Sequence, residues 1–299
     1  MTEDFRTGFI AVVGRPNVGK STLVNALVGR KISIVTPRAQ TTRHAILGVL
    51  TRTDAQLLFV DTPGLHTRQR NMLNKAMNKA ADSAIAGADL VMFVVEAGVW
   101  RSADNYVLEH VRNAGIATLL VVNKMDSVRP KSALLPYLEQ CAAKGEFCGI
   151  IPVSAARIDN LDRLTDLAAS FLPVGPPLYP LDASTNRSME FRIAEMVREK
   201  LLLALRQEVP YGLAVEVLML EQKPGVVLAD VAIWADRDSH KGIVVGKGGE
   251  TIKQVGTAAR LELESIFGEK FYLETHVKVK SNWADSARAL QQFGFETGA

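Results

Sequence analysis

The octapeptide GRPNVGKS, Gly14 to Ser21, constrains this chain more than any other stretch of its 299 residues. It follows the apolar run FIAVV and leads into TLVNALVG, whose apolar positions recur at helical spacing. The pattern G-x-x-x-x-G-K-[ST] between a strand and a helix needs a tight turn whose backbone N–H groups converge at the positive end of the new helix. Such a turn cradles phosphate. Gly14, Arg15, Pro16, Asn17, Val18 and Gly19 form the loop, Lys20 reaches the outer phosphates, Ser21 can ligate Mg²⁺ through its hydroxyl, and Thr22 continues the helix.

The surrounding sequence predicts the sheet that such a loop requires. Short apolar runs at 9–14, 55–61, 89–95, 117–123 and 147–153 alternate with helix-length segments, the signature of buried parallel strands in a layered α/β domain, here 1–172. Ligands then belong at the carboxyl ends of the strands. FLPVGPPLYPLD, Phe171 to Asp182, holds four prolines and a glycine, which disfavours helix and sheet ladder alike. It predicts a linker over 173–186. Beyond it the pattern becomes helix (187–207), strands (213–221 and 226–235), short helix (239–245), longer helix (250–267), strand (270–280) and a helical tail from Trp283, an α+β module over 187–299. In that module Phe191, Ala194, Glu195, Arg198, Leu202, Val215, Val217, Val231 and Ile233 are assigned to core or face packing.

Three further motifs fall at strand ends. Asp126 of NKMD, Asn123 to Asp126 with Lys124 between, can accept from both N1–H and the exocyclic amino group of guanine, an arrangement adenine cannot satisfy. Ser154 and Ala155 of the SAA turn sit where a backbone N–H could reach the guanine carbonyl. In DTPG, Asp61 would hold Mg²⁺ and Gly64 would face the terminal phosphate across Thr62 and Pro63. The next residue is Leu65, where the best-known nucleotide hydrolases of this type carry a water-orienting glutamine. A leucine orients nothing, so help for hydrolysis must come from elsewhere.

In the second module SHKGIVVGKGGETIKQVG carries a G-x-x-G loop, Gly246, Lys247, Gly248 and Gly249, between two helical segments. Such a loop lets backbone approach the backbone of about four nucleotides of single-stranded nucleic acid. Lys247 can pair with phosphate. Lys278, Lys280 and Trp283 either line the same groove or form a solvated strand face ending in a packed tryptophan. Bulk charge does not announce a nucleic-acid binder: the formal net charge is +3, being +4 before residue 187 and −1 from there on.

Cys141 and Cys148 match no zinc or redox spacing and the five histidines lie far apart, so reduced thiols and no transition metal are expected. No apolar window reaches the roughly 20 residues of a membrane span, and MTEDFRTGF lacks the pattern of a signal peptide, which predicts a cytoplasmic protein.

The four nucleotide motifs in this order resemble those of translation-factor-class GTPases. VTPRAQTTRH, Val35 to His44, is similar to the first switch of the Era family, and the order α-β-β-α-GKGG-α-β is that of the type II KH domain in the same family. The likeness runs from Gly8 to about Phe295, with the proline-rich linker and KVKSNWAD included. It implies a P-loop GTPase domain followed by a KH RNA-binding domain, using GTP and GDP with Mg²⁺. It assigns Thr42 the γ-phosphate-sensing metal contact, with Thr41 as the alternative. It implies a partner, the 3′ end of small-subunit ribosomal RNA, and a role in maturation of the 30S subunit. A monomer is expected, with peripheral association at the inner face of the cell membrane as a further expectation for which Arg68 and Arg70 are the only sequence support. In related GTPases with a hydrophobic residue after DxxG, an asparagine at the place of Asn17 ligates K⁺. The competing readings are an RNA-binding scaffold that holds guanine nucleotide without turnover, and a membrane-associated signalling GTPase.

Overall fold

In the computed structural model residues 4–65, 71–206 and 209–296 are described. The chain divides into two units, one of Met1–Ser33, Thr42–Gln69 and Met77–Asn186, the other of Ile34–Thr41, Arg70–Ala76 and Arg187–Ala299. The short stretch before Thr42 thus belongs with the C-terminal unit.

The elements of the N-terminal half are β1 (Arg6–Val13), α1 (Lys20–Val28), β2 (Ile46–Thr51), β3 (Ala55–Asp61), α2 (Met72–Ala86), β4 (Leu90–Glu96), α3 (Ser102–Ala114), β5 (Thr118–Asn123), α4 (Leu134–Ala142), β6 (Gly149–Pro152) and α5 (Leu161–Ser170). Their six strands lie in the order β2-β3-β1-β4-β5-β6, every neighbouring pair parallel except β2 with β3. Side chains alternate between two apolar layers. Ile10 and Val12 of β1 join Leu23 and Val24 of α1 on one face, while Ala11 and Val13 join Val107 and Val111 of α3 on the other. Burial on both faces explains why these strands read as continuous apolar runs. The antiparallel β2 lies outside the five runs the sequence marks as strands, because Gly48 interrupts its apolar run and it stands at the sheet edge, where the pattern is weakest.

The proline-rich segment is a strap on the first sheet and not a free tether. Thr7 N–H donates to Pro173 O at 3.0 Å, Gly175 N–H to Phe5 O at 2.9 Å and Val49 N–H to Ser184 O at 2.9 Å. Fully buried Gln56 accepts from the N–H groups of Leu178 and Tyr179 at 2.8 and 2.9 Å and donates to Tyr179 O at 2.9 Å.

The C-terminal unit contains α6 (Met189–Ala204), β7 (Leu213–Lys223), β8 (Val226–Ala235), α7 (Asp238–Val245), α8 (Glu250–Phe267), β9 (Lys270–Val279) and α9 (Ala287–Gln292). Its sheet runs β7-β8-β9, antiparallel then parallel. Ile193, Val197 and Leu201 of α6 and Val255, Ala259 and Leu263 of α8, each set spaced by four, form apolar stripes that meet Val231 and Ile233 of β8. Val215 and Val217 pack half-buried against this core. Trp283 is fully buried and donates to Gly212 O at 3.0 Å, so it is a packed residue. Lys278 and Lys280 stand over the ring of Trp234, at 5.6 and 5.4 Å from its centroid.

Candidate nucleotide site and nucleic-acid loop

The phosphate loop closes where β1 ends and α1 begins. Gly19 occupies the left-handed region at φ 97°, and a Cβ there would lie 2.4 Å from Asn123 Nδ2, so the loop and the NKMD turn meet at a residue that must be glycine. Lys20 is buried and donates through Nζ to the carbonyls of Gly14 and Arg15 at 3.0 and 3.2 Å. Burial pulls its ammonium down to about 8, with the nearby Asp61 carboxylate opposing and the Arg15 charge adding to the shift. A group held this way gains from an incoming phosphate.

The side chains of the loop divide between site and scaffold. Val18 is fully buried in the core, leaving only its backbone to the loop, and Pro16 lies against Gly64 of DTPG. Asn17 is exposed in the left-handed region at φ 66°. Arg15 turns inward to two carboxylates, Glu96 Oε2 at 2.6 Å and Asp104 Oδ2 at 3.2 Å. Glu96 also accepts from Lys124 Nζ at 3.1 Å, and Lys124 donates to Asn17 O at 2.8 Å. Glu96 therefore ties the phosphate loop to the NKMD turn. Burial raises its carboxyl, but the hydrogen bonds and charges of Arg15 and Lys124 outweigh it and hold the group below the usual glutamate range. Glu96 and Asp104 are not legible in the sequence, since an acid at a strand end and one in a first helical turn carry no motif. The signal available was Arg15, a charge inside a loop whose other side chains are small.

At the turn expected to hold guanine, Asn123 Nδ2 donates to Val18 O at 2.9 Å and its Oδ1 accepts from Ala155 N–H at 3.1 Å. The Ala155 N–H is thereby engaged within the protein. Asp126 accepts from Ser154 Oγ at 2.6 Å and lies 3.8 Å from Arg157 Nε. The serine hydrogen bond, opposed by slight burial and aided by neighbouring positive charge, holds the Asp126 carboxyl below its ordinary value. An ionised Asp126 is the form that can accept two donors from one base.

On the side expected to face the γ-phosphate, Ser21 Oγ and Thr42 Oγ1 are 2.7 Å apart and Thr42 donates to Asp61 Oδ2 at 3.4 Å. Thr41 points elsewhere, to Thr36 Oγ1 at 2.6 Å and Arg38 O at 2.7 Å. Burial pushes the Asp61 carboxyl above its usual range, against the pull of Lys20 and the hydroxyls, and its Oδ1 is buried without a hydrogen-bond partner. Two hydroxyls and an unsatisfied buried carboxylate oxygen form a hard oxygen set suited to Mg²⁺. Thr62 fastens the turn by donating through Oγ1 to Val12 O at 2.9 Å, and Pro63 and Gly64 are buried behind it. Leu65 is 2% exposed and falls in the same buried apolar cluster as Ala11, Val13, Ala81 and Ile85, so its side chain belongs to the core. Thr22 is half-buried in the first turn of α1. His66, Arg68 and Arg70 lie outside the described residues.

In the C-terminal unit α7 ends and α8 starts around a single turn of Lys247 to Gly249. Gly246, Gly248 and Gly249 all have positive φ, at 75°, 60° and 80°. At Gly246 a Cβ would meet Thr251 Oγ1 at 2.2 Å, so this glycine answers a clash inside the loop, whereas Gly249 opens to empty space. Lys247 is exposed at the tip and Ile243 of α7 presents an apolar side chain at 49% exposure.

Comparison with known proteins assigns both halves of the chain to families. Residues 9–124 match the 50S ribosome-binding GTPase family and residues 208–284 the KH domain family. The chain is 44% identical to GTPase Era of Stenotrophomonas maltophilia (strain R551-3) over 289 residues, 97% of each protein. It is 43% identical to GTPase Era of Coxiella burnetii (strain Dugway 5J108-111), over 97% of this chain and 98% of that one. Two crystal structures superpose with a TM-score of 0.94 at 36% identity, covering 97% of this chain and 99% of the other: a single-residue variant of Aquifex aeolicus Era bound to GDP and aluminium fluoride, and an Era in complex with MgGDPNP and nucleotides 1506–1542 of 16S ribosomal RNA. A P-loop GTPase domain and a KH domain in this order, with that identity over nearly the whole length, show that the chain belongs to the Era family of GTPases.

Proposed function

We propose that this protein hydrolyses GTP to GDP and phosphate in the domain ending near residue 172, binds the 3′ end of small-subunit ribosomal RNA through the domain from 187 onward, and so assists maturation of the 30S subunit. The observation that carries the proposal is the convergence of Lys20, Ser21, Thr42 and Asp61 at the carboxyl edge of one sheet in which β5, separated from β1 by β4, ends at the Asn123–Asp126 turn. The relative solved with MgGDPNP and a 16S ribosomal RNA segment supports the choice of ligands.

In this mechanism the loop from Gly14 to Thr22 receives the phosphates, Lys20 supplies charge to the β and γ oxygens, and the Gly64 N–H faces the γ-phosphate. Ser21, Thr42 and Asp61 would hold Mg²⁺, and Asn17 would hold K⁺. When bound, such cations would supply positive charge beside the phosphoryl oxygens that these residues surround. Asn123, Lys124 and Asp126 hold guanine, with Ser154 fixing Asp126. Water attacks the γ-phosphate in line, and no side chain serves as general base. With Leu65 sunk in the core, unaided turnover is slow, on the order of 10⁻⁴ s⁻¹. Gly246, Lys247, Gly248 and Gly249 receive the RNA backbone. The GTP state favours RNA binding and hydrolysis favours release, in a monomer of the cytoplasm that associates peripherally with the membrane.

The test crosslinks the GTP-bound protein to purified small ribosomal subunits and maps the RNA contact. A crosslink at the 3′ end of the ribosomal RNA is expected, and a map without one overturns the RNA assignment. Turnover at matched ionic strength is expected to be faster in KCl than in NaCl, and the difference to vanish in Asn17→Ala.

A further inference from the structure

Helix α6 carries a row of buried charge that its packing role does not require. Glu195, Arg198 and Glu199 are 7%, 3% and 2% exposed. Arg198 grips Glu195 with two hydrogen bonds of 2.7 Å through Nε and Nη2, and Nη2 also donates to the carbonyl of Thr41. Glu199 accepts the N–H of Val35 at 2.8 Å through Oε1 and Lys200 Nζ at 2.9 Å through Oε2. Arg38 donates to Leu205 O just past the helix. The stretch 34–41 is thus fastened near both ends by consecutive residues of one helix, and its last residue is followed by Thr42. Lys200 in turn reaches Glu262 of α8, the helix that opens directly behind the GKGG turn.

A buried charge that loses a partner costs more than an ordinary hydrogen bond contributes, so these residues resist any departure of the loop and must re-pair when it leaves. The group placed to follow is Lys200, shared between Glu199 and Glu262. Coupling of two sites requires an element with two arrangements that both sites bias, and this loop answers to the metal side through Thr42 and to α6 through Val35 and Thr41.

We infer that Arg198 and Glu199 are positioning residues for the loop that carries Thr42, and that α6 passes the arrangement of that loop to α8 behind the RNA-binding turn. The inference rests on the reading of Thr42 as a Mg²⁺ contact. It makes the pair responsible for discrimination between GTP and GDP, not for nucleotide affinity in general.

The experiment uses the full chain with GDP, a non-hydrolysable GTP analogue, Mg²⁺ and a single-stranded oligonucleotide of the 16S ribosomal RNA 3′ end. Glu199→Gln and Arg198→Lys are expected to lower the ratio of GTP-analogue to GDP affinity by on the order of tenfold, as for loss of a charge-assisted hydrogen bond, with GDP affinity unchanged. The Mg²⁺ concentration that half-saturates analogue binding should rise by a similar factor, and the oligonucleotide should distinguish the two nucleotide states less. Equal losses for both nucleotides, or no change in the ratio, overturn the inference. Hydrogen exchange on the unaltered protein provides an arm free of folding defects: protection of the Val35 amide should differ between analogue and GDP states, and equal protection overturns the role of Glu199. Thr42→Ala separates the two levels. If it leaves the Mg²⁺ requirement unchanged, the metal reading of Thr42 fails and the inference with it; if it raises the requirement while the α6 variants do not, the inference alone fails.

Discussion

Leu65 shows how one residue can mislead when read alone. It stands where a glutamine would aim water, yet its side chain is 2% exposed and belongs to the buried apolar cluster that includes Ala11, Val13, Ala81 and Ile85. Leu65→Gln would therefore bury an amide among methyl groups. It is expected to destabilise the protein by about 1–3 kcal/mol, read from the shift in denaturant midpoint, and to leave single-turnover GTP hydrolysis no faster. Glu96 is the converse case, an unremarked acid that joins Arg15 to Lys124. Its folded-state carboxyl lies below the ordinary glutamate value of 4.5, so the unfolded chain binds its proton more readily. The stability it contributes is present above pH 4.5 and is lost as pH falls through the lower folded value. Urea unfolding as a function of pH should show that acid loss in the native protein and a smaller one in Glu96→Gln.

At the scale of elements, the proline-rich segment illustrates how composition predicts conformation without predicting attachment. Prolines excluded helix and ladder, and the chain there is irregular, but Gln56 serves both N–H groups and a carbonyl of Leu178 and Tyr179 from a fully buried position. Gln56→Ala leaves those backbone groups without their partner, at a cost of about 1–3 kcal/mol, and should make the segment around Leu178 the first site cut in limited proteolysis. Helix α6 shows the same limit. Its period placed Glu195 and Arg198 in packed positions, and they are packed, but their companions are Thr41 and, beside them, Val35 with Glu199, which lie more than 150 residues earlier in the chain.

At the scale of the whole molecule, charge separates the two activities. The part before residue 187 carries +4 and the remainder −1. On the proposed reading a KH domain with no net positive charge would hold a strand by shape, base edges and apolar contacts, with Lys247, exposed at the glycine-rich turn, among few candidate phosphate partners. The logarithm of RNA affinity should fall with the logarithm of salt concentration with a slope no steeper than about −2, since each neutralised phosphate of a single strand contributes about −0.7. A titration of the 3′-end oligonucleotide from low to high KCl measures it, and a slope several times larger would refute the charge argument.

The sequence alone determined the phosphate loop, the NKMD turn at a strand end, the parallel strands and the G-x-x-G loop, because each depends on spacing along a short stretch: glycine where backbone must turn or approach, apolar residues at period 3.6 or in continuous runs. Tertiary structure alone decided that Thr42 and not Thr41 lies beside Ser21, that Glu96 and Asp104 enclose Arg15, that the linker is strapped by Gln56, and that residues 34–41 belong with α6. Those relations join residues far apart in sequence, and a buried charge or amide takes its meaning from whichever partner the fold brings to it.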